Sequence, residues 1–135
     1  MITFALDTNI VSYILRGNET VLRRLEATIK AGNQIIIPPI VYYEIRRGLL
    51  AKNAATQIAQ FDELLAEIEV AGIDISTLDI AASTYAALKN AGKPISDADL
   101  LIGAYCIKNN FTLVTNNIKH FEIIDGLDLV NWSDA

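Results

Sequence analysis

The sequence predicts an α/β protein: a three-layer α/β/α sandwich in which a central parallel sheet is covered by helices on both faces. Two observations carry this expectation. Strand-like and helix-like segments alternate along the whole chain, and the strand-like runs are apolar almost throughout, as in sheets buried on both sides. The length, 135 residues, fits one domain with a core of ordinary size, so residues 1–135 are read as a single unit.

The elements follow in order. Residues 2–6, ITFAL, read as the first strand. Residues 9–16 form a short helix that ends at Arg16-Gly17-Asn18, and residues 19–31 a second helix stopped by Gly32. QIIIP, 34–38, is the second strand, closed by Pro38-Pro39; proline suits the first turn of the helix predicted over 39–52. A fourth helix spans 54–69. GIDI, 72–75, reads as a short third strand, and Ser76-Thr77-Leu78-Asp79 as a capping box opening a helix to Asn90, with Gly92 as its stop. A further helix covers 97–109. TLVT, 112–115, and LDLV, 127–130, are the fourth and fifth strands.

Composition narrows the class. Hydrophobic residues make up 52% and charged residues 20%, which excludes a disordered chain. Eleven Lys+Arg against sixteen Asp+Glu give a net charge of −5. That balance argues against coating nucleic acid through bulk charge, yet allows a local basic patch or acids that hold a metal. The lone Cys106 has no partner for an internal disulfide and no metal-ligand spacing, so a reduced, cytoplasmic setting is expected. Met1-Ile2-Thr3 lacks a basic n-region and the first apolar run is cut at Asp7. No stretch approaches a membrane span, so neither a signal peptide nor membrane attachment is expected.

Asp7 raises the functional question, because it puts a carboxylate where a core strand ends. Ligands in parallel α/β sheets bind beyond the carboxyl ends of the strands, although Asp is also an ordinary helix cap. Glu44, on the helix after the second strand, has Ile40, Val41, Arg47 and Gly48 as its helical neighbours. It sits at the core boundary or pairs with Arg47. In PISDADLLIGAY, Asp97 and Asp99 fall in a first helical turn, where acids favour the helix dipole and where Ser96 and Asp99 match a capping box. Beside a strongly apolar helix, with Gly103-Ala104 permitting close packing, they also make a first-turn ligand pair. Thr115, Asn116 and Asn117 follow the carboxyl end of another strand. Carboxylates gathered at one edge repel unless protonated or bridged by a cation, and all-oxygen donors suit Mg2+ or Mn2+ rather than zinc. His120 has no partner at ligand spacing and reads as a turn or surface residue. With no phosphate loop, catalytic triad or cysteine cluster, a metal-dependent phosphodiesterase remains.

The ordered blocks LDTNIVSYI, VYYEIRRG, SDADLLIGA and TLVTNNIKHF resemble PIN-domain proteins, and more narrowly the VapC-like ribonuclease toxins of toxin–antitoxin pairs. The resemblance runs end to end. It implies a Mg2+- or Mn2+-dependent endoribonuclease acting on RNA, a cognate antitoxin and a homodimer. By position, Asp7, Glu44 and Asp99 match the family's acids and are expected both to be catalytic and to hold the metal, with Asp97 an auxiliary candidate two residues away. Asn117 stands where many members carry a fourth aspartate, which bears on a second metal. Thr8, Asn9 and Thr115 match the small polar supports. Arg16, Arg46, Arg47, Lys52 and Lys93 are candidate contacts to RNA phosphates.

Three other readings remain at this level. A haloacid-dehalogenase-like phosphatase wants a second Asp two residues after the first, where Asn9 stands. A response-regulator receiver wants an acidic pair and a middle-strand Asp, and QIIIPP supplies none. A PIN scaffold that only binds RNA or a partner fits Asn117 but not the retention of three acids.

Overall fold

The computed structural model describes residues 1–134. Four parallel strands form one sheet in the order β2-β1-β3-β4. They are β1 (Thr3–Leu6), β2 (Gln34–Ile36), β3 (Thr112–Val114) and β4 (Leu129–Val130). Helices α1 (Thr8–Leu15), α2 (Glu19–Lys30), α3 (Pro39–Ala51) and α4 (Ala55–Glu67) precede α5 (Ile75–Asn90), α6 (Asp97–Asn109) and the short α7 (Ile118–Phe121). The α/β fold with a parallel sheet flanked by helices is as the sequence predicts.

The strands bury both faces. Consecutive residues point to opposite sides of a sheet, yet Ala5 and Leu6, Ile35 and Ile36, and Leu113 and Val114 are all buried. Helices must therefore cover both sides, which is why these runs show no alternation. Register places Ala5 opposite Ile36 on one side and opposite Leu113 on the other, and Leu6 opposite Val114. The residues that immediately follow, Asp7 and Thr115, thus emerge side by side. Asp7 N–H donates to the Val114 carbonyl at 2.9 Å, continuing the ladder by one residue.

Helix boundaries follow local chemistry. Asn18 caps α2 by accepting from Val21 N–H, and Pro39 begins α3. Phe61 of α4 is fully buried against Tyr42 of α3, ring centroids 6.0 Å apart. Gly103 lets α6 approach the chain after α7: a Cβ there would lie 2.8 Å from Ile124 Cδ1.

Two expectations are corrected. GIDI is not a strand. The chain touches the sheet earlier, at Glu69, through a single bridge to Ile36, and Ile73 and Ile75 are 37% and 71% exposed. An apolar run earns a strand only where the sheet can bury it, and this one lies outside. The following helix is also capped two residues earlier than Ser76 would have it. Asp74 accepts from Thr77 N–H at 3.0 Å and from the Ser76 and Thr77 hydroxyls. These bonds hold its carboxyl below the ordinary range. The sheet accordingly has four strands, and α7 is an element the sequence did not announce. Asp74→Ala is expected to lower the melting temperature measurably, whereas Ser76→Ala, which leaves the cap in place, should barely move it.

Candidate active site

The carboxyl edge of the sheet collects the polar residues singled out in the sequence. Asp7 follows β1 directly, is 3% exposed, and also caps α1. Its structural and candidate chemical uses coexist in one side chain. Oδ1 accepts from Thr8 N–H at 2.8 Å; Oδ2 accepts from the Thr115 hydroxyl at 2.8 Å and from Asn9 Nδ2 at 2.9 Å. Asn9 in turn accepts from Asn116 N–H at 3.0 Å, tying α1 to the turn after β3. Asn116 donates to the Tyr13 hydroxyl.

Glu44 reaches the same edge from α3. Its Oε1 accepts the Thr8 hydroxyl at 2.7 Å. Thr8 therefore joins two acids, donating its backbone N–H to Asp7 and its hydroxyl to Glu44. Arg47 stands 3.9 Å from Glu44 Oε2 and is largely exposed, a weak surface pair.

Asp99 comes from the first turn of α6. Ser96 caps that helix by accepting from Asp99 N–H, and its hydroxyl donates to Asp99 Oδ2 at 3.0 Å. The second partner is His120, whose Nε2 lies 2.8 Å from the same oxygen. His120 is a site neighbour that the sequence reading set aside. No spacing rule links it to an acid 21 residues away; only the return of the chain through β3 and α7 does.

The remaining candidates separate. Asp97 is exposed and lines a different groove, with Ala81, Ala82 and Tyr85 of α5. Asn117 is exposed, and its side chain makes no cap bond to α7; its backbone N–H donates to the Thr115 hydroxyl at 3.0 Å. Arg16 and Lys52 line a cleft of about 240 Å³ together with Thr8, Ser12, Glu44 and Gln57. Arg46 is committed elsewhere: it pairs with Asp62 at 2.7 Å and lies over the Tyr42 and Phe61 rings, fastening α3 to α4. Lys93 follows the end of α5, where its N–H donates to the Leu88 carbonyl.

Burial pushes the Asp7 carboxyl above its ordinary value, and the charge of Asp99 pushes the same way, against the hydrogen bonds from Thr115, Thr8 and Asn9. The Cys106 thiol, fully buried in the core, is pushed up by burial and stays protonated. Among the described residues, no three Asp, Glu, His or Cys side chains are close enough to hold a metal by themselves. The oxygen donors still fit Mg2+, which is usually held by one or two carboxylates completed by waters and substrate phosphates.

Comparison with known proteins identifies the class. The PIN domain family model matches residues 4–127. Ribonuclease VapC2 of Rickettsia felis is 33% identical over 131 residues, covering 96% of this chain and 97% of the relative. The tRNA(fMet)-specific endonuclease VapC of Shigella flexneri is 27% identical over 138 residues, covering 98% of this chain and all (100%) of the relative. Among solved structures, VapBC2 of Rickettsia felis bound to a promoter DNA fragment matches with a TM-score of 0.91 at 32% identity, over 97% of this chain and 99% of that chain. FitAcB from Neisseria gonorrhoeae matches with a TM-score of 0.83 at 25% identity, over 98% of this chain and 99% of that one. The chain belongs to the PIN-domain family, within it to the VapC ribonuclease toxins of toxin–antitoxin pairs. PIN nucleases are typically metal-dependent. Among the described residues, no helix is long and apolar enough to cross a membrane.

The raised Asp7 pKa has a definite sign. The folded state holds the proton more tightly than the unfolded chain does, whose carboxyl titrates near 3.8. Without metal, the contribution of Asp7 to stability therefore falls as pH rises from about 4 through its folded pKa. Each tenfold gain in proton affinity corresponds to about 1.4 kcal/mol. Carboxyl NMR of the metal-free protein should show Asp7 titrating above its ordinary value, and Asp99→Asn should lower that midpoint.

Proposed function

We propose that the chain is a Mg2+- or Mn2+-dependent endoribonuclease, working as one PIN domain over residues 1–135, with Asp7, Glu44 and Asp99 as its functional acids. The observation that carries this reading is the joining of Asp7 to Glu44 through Thr8, with the charge of Asp99 felt at Asp7. Asp7 and Asp99 would hold the cation. When bound, it supplies Lewis-acid stabilisation of the phosphoryl oxygens.

The protein's own groups do the rest. Thr115, Asn9 and Thr8 hold Asp7 in place, and the Thr8 hydroxyl holds Glu44. The cleft-lining Glu44 carboxylate takes a proton from the attacking water as the water oxygen bonds to phosphorus. The phosphorus–oxygen bond to the leaving ribose breaks, and that oxygen takes a proton from solvent. Arg16 and Lys52, beside Glu44 in the cleft, contact flanking RNA phosphates despite the net charge of −5. Arg47, largely exposed and 3.9 Å from Glu44 Oε2, is a further candidate. Arg46 holds α3 to α4, and Asp97 lies outside the acid set.

Incubation of purified protein with total RNA tests this reading. Cleavage should require Mg2+ or Mn2+ and stop with EDTA. Asp7→Asn, Glu44→Gln and Asp99→Asn should each reduce it by about a hundredfold or more, while Asp97→Asn stays near wild type. Normal cleavage by two of the first three variants would overturn the assignment. Asn117→Asp, which turns a neutral amide into a carboxylate, should lower the Mg2+ concentration needed for half-maximal cleavage. Superimposable curves would remove Asn117 from the site.

The same reading includes a cytoplasmic location, a cognate antitoxin and a homodimer. Support for the antitoxin comes from the full-length likeness to VapBC2 of Rickettsia felis, crystallised as a toxin–antitoxin complex on DNA. Expression of the wild type alone should arrest growth, and Asp7→Asn should not. Sedimentation at micromolar concentration should give a dimer.

A further inference from the structure

We propose that His120 is a positioning residue for the cation site: it fixes the orientation of Asp99, so that the short segment from Thr115 to His120 aims both Asp7 and Asp99. This rests on the assignment of Asp7 and Asp99 as cation ligands. Six residues after β3 reach both acids. At one end, the Thr115 hydroxyl donates to Asp7 Oδ2 at 2.8 Å. At the other, His120 Nε2 lies 2.8 Å from Asp99 Oδ2.

The segment between them is internally braced. Asn117 N–H donates to the Thr115 oxygen at 3.0 Å, and the Asn117 carbonyl accepts from His120 N–H at 3.1 Å. Phe121, 1% exposed, anchors the turn in the core, and its ring meets the His120 ring edge-on at 5.7 Å. The imidazole is therefore held by a turn that cannot move without disturbing the support of Asp7.

The direction of the bond follows from chemistry. An ionised carboxylate only accepts, so Nε2 carries the hydrogen, as in the imidazolium or one neutral tautomer. Ser96 and His120 both donate to Oδ2, and among the described residues no protein donor meets Oδ1. One carboxylate oxygen is thus tethered and the other left for a cation. Ser96 belongs to the same helical turn as Asp99 and moves with it. His120 is the tether from outside α6, and its side chain bonds Asp99 to the segment that follows β3. Partners of this kind, behind a metal ligand, commonly change metal affinity by about 10–100-fold.

Calorimetric titration of Mn2+ into the RNA-free protein tests the inference, with melts in EDTA alongside. The variants are His120→Gln, His120→Asn and His120→Ala. The Gln amide nitrogen reaches about as far as Nε2, and the Asn amide falls short. The expected result is Mn2+ binding about tenfold weaker in the Ala and Asn variants, with Gln close to wild type. A purely structural histidine would lower the melting temperature without moving the Mn2+ affinity, and that result would overturn the proposal. Gln binding as weakly as Ala would also overturn it, since the donor at the Nε2 position would then be irrelevant. If Ala fails to fold, the contrast between Gln and Asn decides alone. Wild type that binds no Mn2+ would instead refute the assignment of the acids to a cation, a failure distinct from unchanged affinity in the variants.

Discussion

The candidate functional edge depends on one constraint: a carboxylate, Asp7, kept almost wholly out of water. A buried ionised group that is not compensated costs several kcal/mol, and the protein compensates it with three donors. Two come from the next residues in the chain, Thr8 and Asn9, and the third from Thr115, just past the end of the neighbouring strand β3. That third bond requires β1 and β3 to run parallel and to end at the same level, which the Leu6–Val114 register secures. Sheet order and register are thus conditions for holding Asp7 in place as well as consequences of core packing.

From that point the edge spreads outward through shared hydrogen bonds. Thr8 extends it to Glu44 on α3, Asn9 to the turn after β3, and Asp99 joins through its charge and through His120. The donors offset burial only partly, since the Asp7 carboxyl still titrates above its ordinary value. Cations of the protein itself stand in different places. Arg46 is spent on holding two helices together, whereas Arg16 and Lys52 are left in the cleft beside Glu44. Net acidity and RNA binding are compatible because affinity for a phosphate depends on nearby charge; over longer distances charge is screened.

The main elements, and the ends of elements that the candidate acids occupy, were legible in the sequence because each has a local cause. ITFAL and TLVT are apolar without alternation, which only a doubly covered strand explains. Pro39, Asn18 and Ser96 mark helix starts through their own backbone chemistry. Asp7 stands out because it interrupts an apolar run at a strand end. Local patterns failed where burial decides: GIDI has the composition of a strand, yet the chain meets the sheet only at Glu69 and leaves this run outside it, and Asp74 is a better-placed cap than Ser76.

What the tertiary structure alone decided concerns pairs of residues far apart in the chain. Asp97 and Asp99 have similar local settings, but successive positions of a helical first turn point in different directions, and only the packing of α6 sends Asp97 toward α5 and Asp99 toward Asp7. Arg46 and Arg47 are adjacent and alike in sequence; the neighbouring helix α4 takes one and leaves the other at the surface. His120 carries no motif at all. By itself the sequence determined which residues are chemically capable and which ends of which elements they occupy, because propensity, capping and burial pattern act over a few residues. The fold decided which of them meet, because a hydrogen bond such as His120 to Asp99 forms at 2.8 Å or not at all, and that distance is set by the path of the whole chain.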